Sequence, residues 1–312
     1  MELEPVFDIP YGQVGKRVLA MDLLLPPPPR EALVPAVLWL HGGGWYSGDK
    51  RRVITIGMLD DLPRAGFALA SVGYRLAGEA PFPAPIHDVK AALRFLHAHG
   101  ASIGIDPARI AIAGFSAGGH LAALAATSAG VSDLEGDEDS ASDPTRVAAA
   151  IVLAGPTDFL QNPRATDPAQ NPLAAAGVPC GEHMLLGGPV LERVEGARLA
   201  NPLRYIGPGM PPFLIVQGAE DEVVPLSQAE LLYDTLRAAG ADATLVVVED
   251  GNHGFWEAGK PYPREPMPPV IRRWMVQFLQ AHLQQKAGFP LRDRHTVRVA
   301  KLRGPVSGND PD

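Results

Sequence analysis

Cysteine is almost absent from this sequence of 312 residues, because Cys180 is the only one. A single cysteine excludes an intramolecular disulfide and a cysteine-rich metal site. Positive charge is also in short supply, since 27 Lys and Arg stand against 35 Asp and Glu and leave a net charge of −8. No basic excess is available to attract nucleic acid or an anionic membrane surface. We therefore expect neither as a partner.

Long apolar runs are missing as well. The best candidate, 18–25, is interrupted by Asp22 and is far too short to span a bilayer. Glu2, Glu4 and Asp8 stand where a signal peptide would carry basic residues and then an apolar stretch. These features predict a cytoplasmic protein that does not associate with membranes.

What the sequence does contain is an alternation of apolar, β-branched runs with stretches of helical periodicity. Hydrophobic residues make up 46% of the chain, which is enough for a large core at this length. Beyond one or two early strands, strands are predicted over 36–40, 67–72, 109–113, 148–153, 213–216 and 243–248, and helices over 58–65, 88–99, 121–126, 226–239 and 268–285. Such alternation predicts an α/β protein with a mostly parallel, doubly wound sheet.

Three segments depart from this alternation. Residues 160–203 are rich in Pro, Gly and Ala, and we interpret them as an insertion near the active site, within a single domain over 1–286. Residues 132–144 are acidic, which favours a mobile surface loop over a metal site. Residues 287–312 have a different, more basic composition, and we expect this tail to be disordered or appended to the domain.

The central motif is Gly-Phe-Ser-Ala-Gly at 114–118, between a predicted strand and a predicted helix. In a chain with 33 glycines a G-x-S-x-G pattern also arises by chance, so the flanking elements carry much of the argument. Strand, G-x-S-x-G and helix together are typical of a nucleophile elbow, with Ser116 on a strained turn. The N–H of Ala117 would lie at the start of the helix, where a negative oxygen is favoured.

A second motif, His-Gly-Gly-Gly-Trp at 41–45, directly follows another predicted strand. Consecutive glycines allow the backbone to approach a substrate closely and to turn several N–H groups toward one point. The amides of Gly43, Gly44 and Ala117 are therefore predicted to form an oxyanion hole. A flexible glycine turn without a binding role is the alternative interpretation.

An acid and a histidine follow the serine in the chain order that α/β-hydrolases use. Asp221 comes just after one predicted strand, and His253 follows the next. Both would lie at the carboxyl edge of the sheet, together with Ser116. We expect His253 to accept the serine proton and Asp221 to orient the imidazole.

Three other carboxylates are alternatives to Asp221. Asp250 is too close to His253 in sequence to be a comfortable partner, and Glu220 is expected to point away from its neighbour. Asp158 ends a different strand and is interpreted as a carboxylate that fixes a loop, with catalysis as the alternative.

The remaining histidines are interpreted as structural. We expect His41 to hydrogen-bond the backbone of the glycine loop and His120 to be packed on the helix after the serine. The others have no second ligand at metal spacing, so no metal site is predicted: His87, His97, His99, His183 and His282.

Together these motifs resemble the α/β-hydrolase fold, and within it the bacterial esterases similar to hormone-sensitive lipase and the related BD-FAE group of feruloyl and acetyl esterases. The resemblance runs from about Val34 to Leu283 and is carried by the blocks at 41–45, 114–120, 155–158, 218–225 and 251–255. It implies a sheet of about eight strands flanked by helices, a Ser116–His253–Asp221 triad and ester hydrolysis without a cofactor.

The resulting hypothesis is a carboxylesterase that hydrolyses short-chain acyl esters through an acyl-enzyme. An acetyl-sugar or feruloyl esterase, or an arylformamidase, is the alternative among enzymes. A catalytically inactive hydrolase fold acting as a binding protein is the alternative from another class. Trp45 and Phe115, which border the two glycine motifs, are the candidate substrate-binding residues. A small-molecule ester is the expected partner, and monomer and homodimer are both left open.

Overall fold

Nine strands form a single sheet in the computed structural model, which describes residues 3–29, 32–136, 145–171, 174, 177–260, 267–286 and 288–302. The strands are β1 (Pro5–Val14), β2 (Arg17–Leu24), β3 (Val34–Leu40), β4 (Ala68–Val72), β5 (Ile105–Phe115), β6 (Ala149–Leu153), β7 (Phe213–Gly218), β8 (Ala243–Val248) and β9 (Arg294–Val297). Their order across the sheet is β1-β2-β4-β3-β5-β6-β7-β8-β9. Strand β2 runs antiparallel to both of its neighbours, and every other pairing is parallel. The predicted α/β class with a mostly parallel, doubly wound sheet is confirmed.

Helices connect the strands. The α-helices of the described residues are α1 (Arg52–Thr55), α2 (Asp61–Arg64), α3 (Ala84–His99), α4 (Ala117–Thr127), α5 (Ser132–Glu135), α6 (Pro163–Thr166), α7 (Gly181–Leu186), α8 (Val194–Leu199), α9 (Leu226–Ala238), α10 (Pro269–Leu283) and α11 (Val299–Leu302). Short 3₁₀ helices cover Gly100–Ile103, Phe159–Gln161, Pro168–Gln170, Val190–Glu192 and Pro202–Tyr205. The helix predicted over 58–65 is too long, because only α2 forms between Gly57 and Gly66, which both have positive φ.

The central strands are buried on both faces. Every residue of β4, β6, β7 and β8 is buried, and most are Ala, Val, Leu or Ile. Helices α3, α4 and α9 pack on one face, while α1, α2 and α10 pack on the other. This two-sided cover explains why the strands appear in the sequence as continuous apolar runs without alternation. It also leaves the carboxyl ends of β5, β7 and β8 at one edge of the sheet, where the loops begin that carry the predicted triad.

The segment after Lys286 adds a ninth strand to the sheet. Strand β9 pairs in parallel with β8, and Val299 and Leu302 of α11 are buried. Its basic residues meet acidic partners, since Arg294 pairs with Glu230 at 2.6 Å. The described part of this tail, 288–302, is therefore packed on the domain; residue 287 and residues 303–312 lie outside the described residues.

The acidic segment at 132–144 differs from its prediction as a mobile surface loop. Its first residues form α5, and Glu135 is buried rather than exposed to solvent. The Glu135 carboxylate accepts Lys90 Nζ at 2.7 Å and Arg94 Nη1 at 3.1 Å, both from α3. This Lys90–Glu135–Arg94 cluster joins α3 to α5 inside the fold. Residues 137–144, and with them most of that prediction, lie outside the described residues.

Candidate active site

Ser116 lies at the sharp turn between β5 and α4. Its backbone has φ 56° and ψ −121°, a strained combination for a residue with a side chain. The Ser116 N–H donates to Leu153 O on β6 at 2.8 Å, which fixes the turn against the sheet. A Cβ on Gly114 would collide with the Gly118 carbonyl, and a Cβ on Gly118 would collide with the Leu40 carbonyl. The turn therefore requires both glycines of the motif.

The side chain of His253 reaches Ser116 from the loop that follows β8. Its Nε2 lies 3.0 Å from Ser116 Oγ, and its Nδ1 lies 2.8 Å from Asp221 Oδ2. The loop is held by Asn252, whose Oδ1 accepts the backbone N–H groups of the residues two and four positions further on. With Nδ1–H donating to the carboxylate, Nε2 is placed to accept a hydrogen bond from the serine hydroxyl. These distances join the three predicted residues in one hydrogen-bonded chain.

The Asp221 carboxylate is buried and fixed by backbone and side-chain donors at the end of β7. Its Oδ1 accepts the N–H groups of Val223 and Val224 at 2.7 and 2.8 Å. Its Oδ2 accepts Gln217 Nε2 at 2.7 Å in addition to the imidazole of His253. Because donors approach both oxygens, the carboxylate cannot rotate without losing hydrogen bonds.

The other candidate acids are engaged elsewhere or point away. Asp158 caps the short helix at 159–161 through two backbone N–H groups and accepts Gln161 Nε2 at 2.7 Å. Asp250 accepts the Val299 N–H at 2.6 Å, and Glu220 is exposed. Among the described carboxylates, Asp221 is the one within hydrogen-bonding distance of His253.

The glycine loop after β3 lies directly against the serine. A Cβ on Gly42 would come within 3.3 Å of Ser116 Cβ. Gly43 and Gly44 have φ 122° and 58°, and the Gly43 carbonyl accepts the Ser47 N–H at 3.0 Å. Both conformations are in the left-handed region, which is accessible to glycine without the steric cost that other residues bear. The loop thus forms a hydrogen-bonded turn that depends on glycine at both positions.

His41 braces this loop from the other side. Its ring stacks on Tyr74 with centroids 4.3 Å apart, and Tyr74 Oη donates to His41 O at 2.8 Å. Its Nδ1 lies 2.9 Å from Gly42 O, so Nδ1–H donates to that carbonyl. Burial lowers the pKa of His41 below its ordinary value, which favours the neutral ring.

Three amides remain available near the serine. Among the described residues, no hydrogen bond uses the N–H of Gly43, Gly44 or Ala117. Ala117 begins α4, where the first N–H groups have no partner within the helix. Free N–H groups beside Ser116 are the donors that an oxyanion would need.

The fold and this geometry agree with a family comparison. A family model described as BD-FAE matches residues 21–236, well over half of the chain. The chain belongs to the BD-FAE family. The resemblance inferred from the motifs is thereby confirmed.

Known relatives of this BD-FAE protein include two from Mycobacterium tuberculosis. The protein named "Probable carboxylic ester hydrolase LipM" is 32% identical over 231 residues, which cover 74% of this chain and 51% of LipM. Esterase LipQ is 32% identical over 253 residues, which cover 80% of this chain and 56% of LipQ. The chain thus spans about half the length of the curated relatives it matches.

A solved structure with a similar fold covers almost the whole chain. A truncated form of a carbohydrate esterase from gut microbiota superposes with a TM-score of 0.77 and 27% identity, covering 90% of this chain and 96% of that one. The predicted α/β-hydrolase fold is confirmed by this likeness and by the sheet order.

The BD-FAE site opens into a cavity of about 290 Å³. Ser116 and His253 lie in its wall, together with Gly43 and Gly44 of the glycine loop. Phe115 also lines the cavity, and its ring centroid lies 4.9 Å from that of His253. Trp45 lines it too but is only 2% exposed, since its ring packs edge-on against buried neighbours.

The segment at 160–203 forms another part of the cavity wall. Arg164, Asn171 and residues 178–182 all line it, so this segment shapes the space around the serine. Within it, burial raises the pKa of the Cys180 thiol to about 12, so the thiol is protonated at neutral pH. Neither Arg164 nor Glu182 was singled out from the sequence, because the segment lacks the periodicity or motif that would have marked them.

His120 ties α4 to this same segment. Its Nε2 lies 2.7 Å from Ala200 O, and the ring is buried against Trp45 and Phe159. Burial lowers the pKa of His120 to about 4, so the ring is neutral and Nε2–H donates to the carbonyl. The described histidines form no group of three potential metal ligands with Cys, Asp or Glu. None of the helices in the described part of the chain combines the length and the apolar character that crossing a bilayer needs.

Proposed function

We propose that this protein is a carboxylesterase that hydrolyses short-chain acyl esters through an acyl-enzyme on Ser116. The observation that carries the proposal is the hydrogen-bonded chain at the cavity wall, with 3.0 Å from Ser116 Oγ to His253 Nε2 and 2.8 Å from His253 Nδ1 to Asp221 Oδ2. Nucleophile, base and orienting acid in this arrangement are the recurring parts of serine hydrolases. A binding protein would have no physical need for all three.

In the proposed first half-reaction, Ser116 Oγ attacks the ester carbonyl carbon while His253 Nε2 accepts the hydroxyl proton. The tetrahedral intermediate collapses when the bond to the alcohol oxygen breaks, and His253 returns the proton to that oxygen. In the second half-reaction, water attacks the acyl carbon with His253 again as base. The acid is released and Ser116 is reprotonated. Asp221 keeps the Nδ1–H tautomer throughout and stabilises the transient imidazolium.

The amides of Gly43, Gly44 and Ala117 are the proposed donors to the developing oxyanion. Their N–H groups lack other partners among the described residues, and two of them come from a turn that is already formed. Donors that are in place before the reaction need no reorganisation when the negative charge appears. Loss of one such donor typically costs about 10² to 10³ in rate.

The cavity's dimensions favour small substrates. A volume of about 290 Å³ lies at the lower end of ligand pockets, which span roughly 300–1,000 Å³. Phe115 supplies an apolar contact surface next to His253, in keeping with its proposed role in substrate binding. Trp45 is also a proposed substrate-binding residue, and its buried ring supports the wall of the cavity. The names of LipM and LipQ support ester hydrolysis as the reaction class.

A second candidate is hydrolysis of acyl groups on sugars. The carbohydrate esterase from gut microbiota matches almost the full length of both chains, which favours this substrate class over an arylformamide. The two candidates share the same triad and differ only in the alcohol. Release of acetate from acetylated xylan, compared with release from a p-nitrophenyl ester, distinguishes them.

The test of the reaction is hydrolysis of p-nitrophenyl esters from acetate to dodecanoate, with and without a serine-directed phosphonate. We expect phosphonate-sensitive cleavage that declines for acyl chains longer than about six to eight carbons, because the cavity is small. Ser116→Ala should abolish turnover and leave the fold intact. The exposed Ser102 provides a matched control, since Ser102→Ala removes a hydroxyl that does not line the cavity and should keep the wild-type rate. Turnover by Ser116→Ala at the wild-type rate would overturn the mechanism.

A further inference from the structure

Arg164 on α6 is a cation in the wall of the cavity that contains Ser116 and His253. The side chain is half-buried, and its Nη1 is fully buried without a hydrogen-bond partner among the described residues. No ion pair between the described residues includes Arg164 either. The triad does not use this group, and its position in the cavity is not explained by packing alone.

A guanidinium with a buried, unbonded N–H is costly. Withdrawal from water removes hydration that only a hydrogen bond or an opposite charge can replace. The pKa of Arg164 is lowered by burial, against the attraction of Asp221 and Glu222, yet arginine stays protonated at neutral pH because its ordinary pKa is so high. The side chain therefore holds a full positive charge beside the reacting groups.

Two carboxylates near Arg164, those of Asp221 and Glu182, are hydrogen-bonded to other donors. Both oxygens of Asp221 are occupied by the donors described above, including His253. Glu182 also lines the cavity, but its oxygens accept Asn162 Nδ2 at 3.0 Å and Cys180 Sγ at 3.3 Å. Because Nη1 has no accessible surface, an occupant of the cavity would have to contact the exposed part of the Arg164 side chain.

We propose that Arg164 is a specificity-determining residue that binds a carboxylate carried by the substrate, so that the preferred substrates are esters bearing a free carboxylate besides the ester bond. This inference rests on the proposed esterase function. A guanidinium matches the planar carboxylate with two parallel hydrogen bonds, which gives orientation as well as attraction.

A single negative charge fits this environment better than a double one. Arg164 offers one positive charge, while Asp221 and Glu182 place negative charge in or beside the same cavity. A phosphate dianion would be repelled by these carboxylates, whereas a carboxylate is neutralised by the one guanidinium. The rival occupant is ordered water, which would hydrate the exposed part of the guanidinium without conferring any preference for charge.

The experiment compares two matched pairs of esters at low ionic strength. The acyl pair is mono-p-nitrophenyl adipate and p-nitrophenyl hexanoate, which differ by a carboxylate in place of the terminal methyl. The alcohol pair is 4-acetoxybenzoate and its methyl ester. The readout is the ratio of kcat/KM for the anionic ester to that for the neutral ester, after subtraction of the rate with Ser116→Ala. The variants are Arg164→Gln, Arg164→Lys and the control Arg198→Gln, an exposed arginine of the same segment that pairs with Glu195.

We expect the wild type to prefer the anionic ester in at least one pair, and Arg164→Gln to lower that ratio about tenfold to a hundredfold, the range for a hydrogen bond to a charged group. Arg164→Lys should give an intermediate ratio, and Arg198→Gln should keep the wild-type ratio although it removes the same net charge. Added salt should weaken the wild-type preference. An unchanged ratio in Arg164→Gln would overturn the proposal, as that is the result expected if water fills the site.

If Arg164→Gln fails to fold, the ratio of kcat/KM for the anionic and neutral esters in the wild type tests the proposal. A preference for the neutral ester in both pairs would then overturn the proposal. Failure of the esterase function itself looks different, because the wild type would cleave none of the four esters and would not react with the phosphonate.

Discussion

The buried carboxylates of Asp221 and Glu135 have similar hydrogen-bonding surroundings, but we expect their removal to affect different properties of the protein. Asp221 accepts four donors, and Glu135 also accepts four, from Lys90, Arg94, Gly130 N–H and Thr145. Three of the donors of Glu135, the side chains of Lys90, Arg94 and Thr145, are buried, and two of these are basic. One donor of Asp221 is an imidazole whose other nitrogen contacts Ser116 at the cavity wall.

The difference shows what separates a structural ion cluster from a hydrogen-bonded chain for which we propose a catalytic role. In the Lys90–Glu135–Arg94 cluster one buried carboxylate is shared by two basic side chains of the same fold, so a change there acts on the stability of the fold. In the chain from Asp221 to Ser116, the last two groups line a cavity, and in the proposed mechanism the positive charge that Asp221 would stabilise arises on His253 only during the reaction. The two sites are alike in burial and in the number of hydrogen bonds. They differ because the chain from Asp221 ends at Ser116, which lines a cavity.

The comparison of the two carboxylates is tested first by Asp221→Asn, for which we expect the largest effect, a loss of activity. We expect kcat/KM to fall by about 10⁴, because the amide favours the wrong imidazole tautomer and cannot stabilise the imidazolium. The fold should persist, since the Asn oxygen can still accept the two backbone N–H groups that Asp221 Oδ1 accepts. Steady-state kinetics and a urea unfolding curve measure the two effects separately.

Asp158→Asn is the matched control for this change. Asp158 caps a short helix and has no contact with His253 among the described residues, so its variant should retain most of the activity. If Asp158→Asn lowered kcat/KM more than Asp221→Asn, the assignment of the acid would be wrong.

The opposite result is expected for Glu135→Gln. Removing this charge leaves Lys90 and Arg94 without their buried counter-ion, and such a loss typically costs about 3–5 kcal/mol of unfolding free energy. Burial already lowers the pKa of Lys90, and the hydrogen bond that Lys90 donates to Glu135 opposes this shift, so we expect the lysine to release its proton more readily in the variant. Urea unfolding measures the loss, while kcat/KM per folded molecule should match the wild type.

Glu195→Gln is the same substitution at an exposed ion pair, between Glu195 and Arg198. Exposed pairs contribute about 0–1 kcal/mol, so this variant should be nearly as stable as the wild type. Equal losses in the two variants would contradict the sealed character of the Lys90–Glu135–Arg94 cluster.

The sequence predicted the proximity of Ser116, His253 and Asp221 better than it predicted the ion cluster, for a physical reason. Ser116 was found because its turn demands glycines at 114 and 118, and those demands are local in sequence. Asp221 and His253 were found because they follow apolar strands whose carboxyl ends share one edge of the sheet. Such constraints appear directly in the residue types.

Glu135 and Arg164 carry no comparable local mark. Glu135 lies in an acidic run that resembles a solvated loop, and its burial depends on Lys90 and Arg94, which are more than 40 residues away. Arg164 lies in a segment without periodicity, and only the folded chain places it beside Ser116. The tail was equally undetermined, since β9 is short and its place in the sheet depends on pairing with β8. Pairings of this kind are tertiary, so composition could not reveal them.

The smallest expected effect concerns His120, another sealed group, and it depends on pH. Burial lowers the pKa of His120 to about 4 in the folded protein, whereas an unfolded histidine titrates near about 6.5. Between these values the unfolded chain binds a proton that the folded protein does not, so the free energy of unfolding falls as the pH decreases from about 6.5 to about 4. This loss of unfolding free energy is at most about 3 kcal/mol, and there is no such loss above about pH 7.

His120→Gln should remove this part of the pH dependence, since Gln does not titrate and can still donate to Ala200 O. The measurement is urea unfolding of both proteins at pH 7 and pH 4.5, with the exposed His99→Gln as control. We expect the wild type and His99→Gln to lose more stability on acidification than His120→Gln. Equal losses in the wild type and both variants would show that His120 is protonated in the folded state at pH 4.5. The description of His120 as a buried, neutral group would then be wrong.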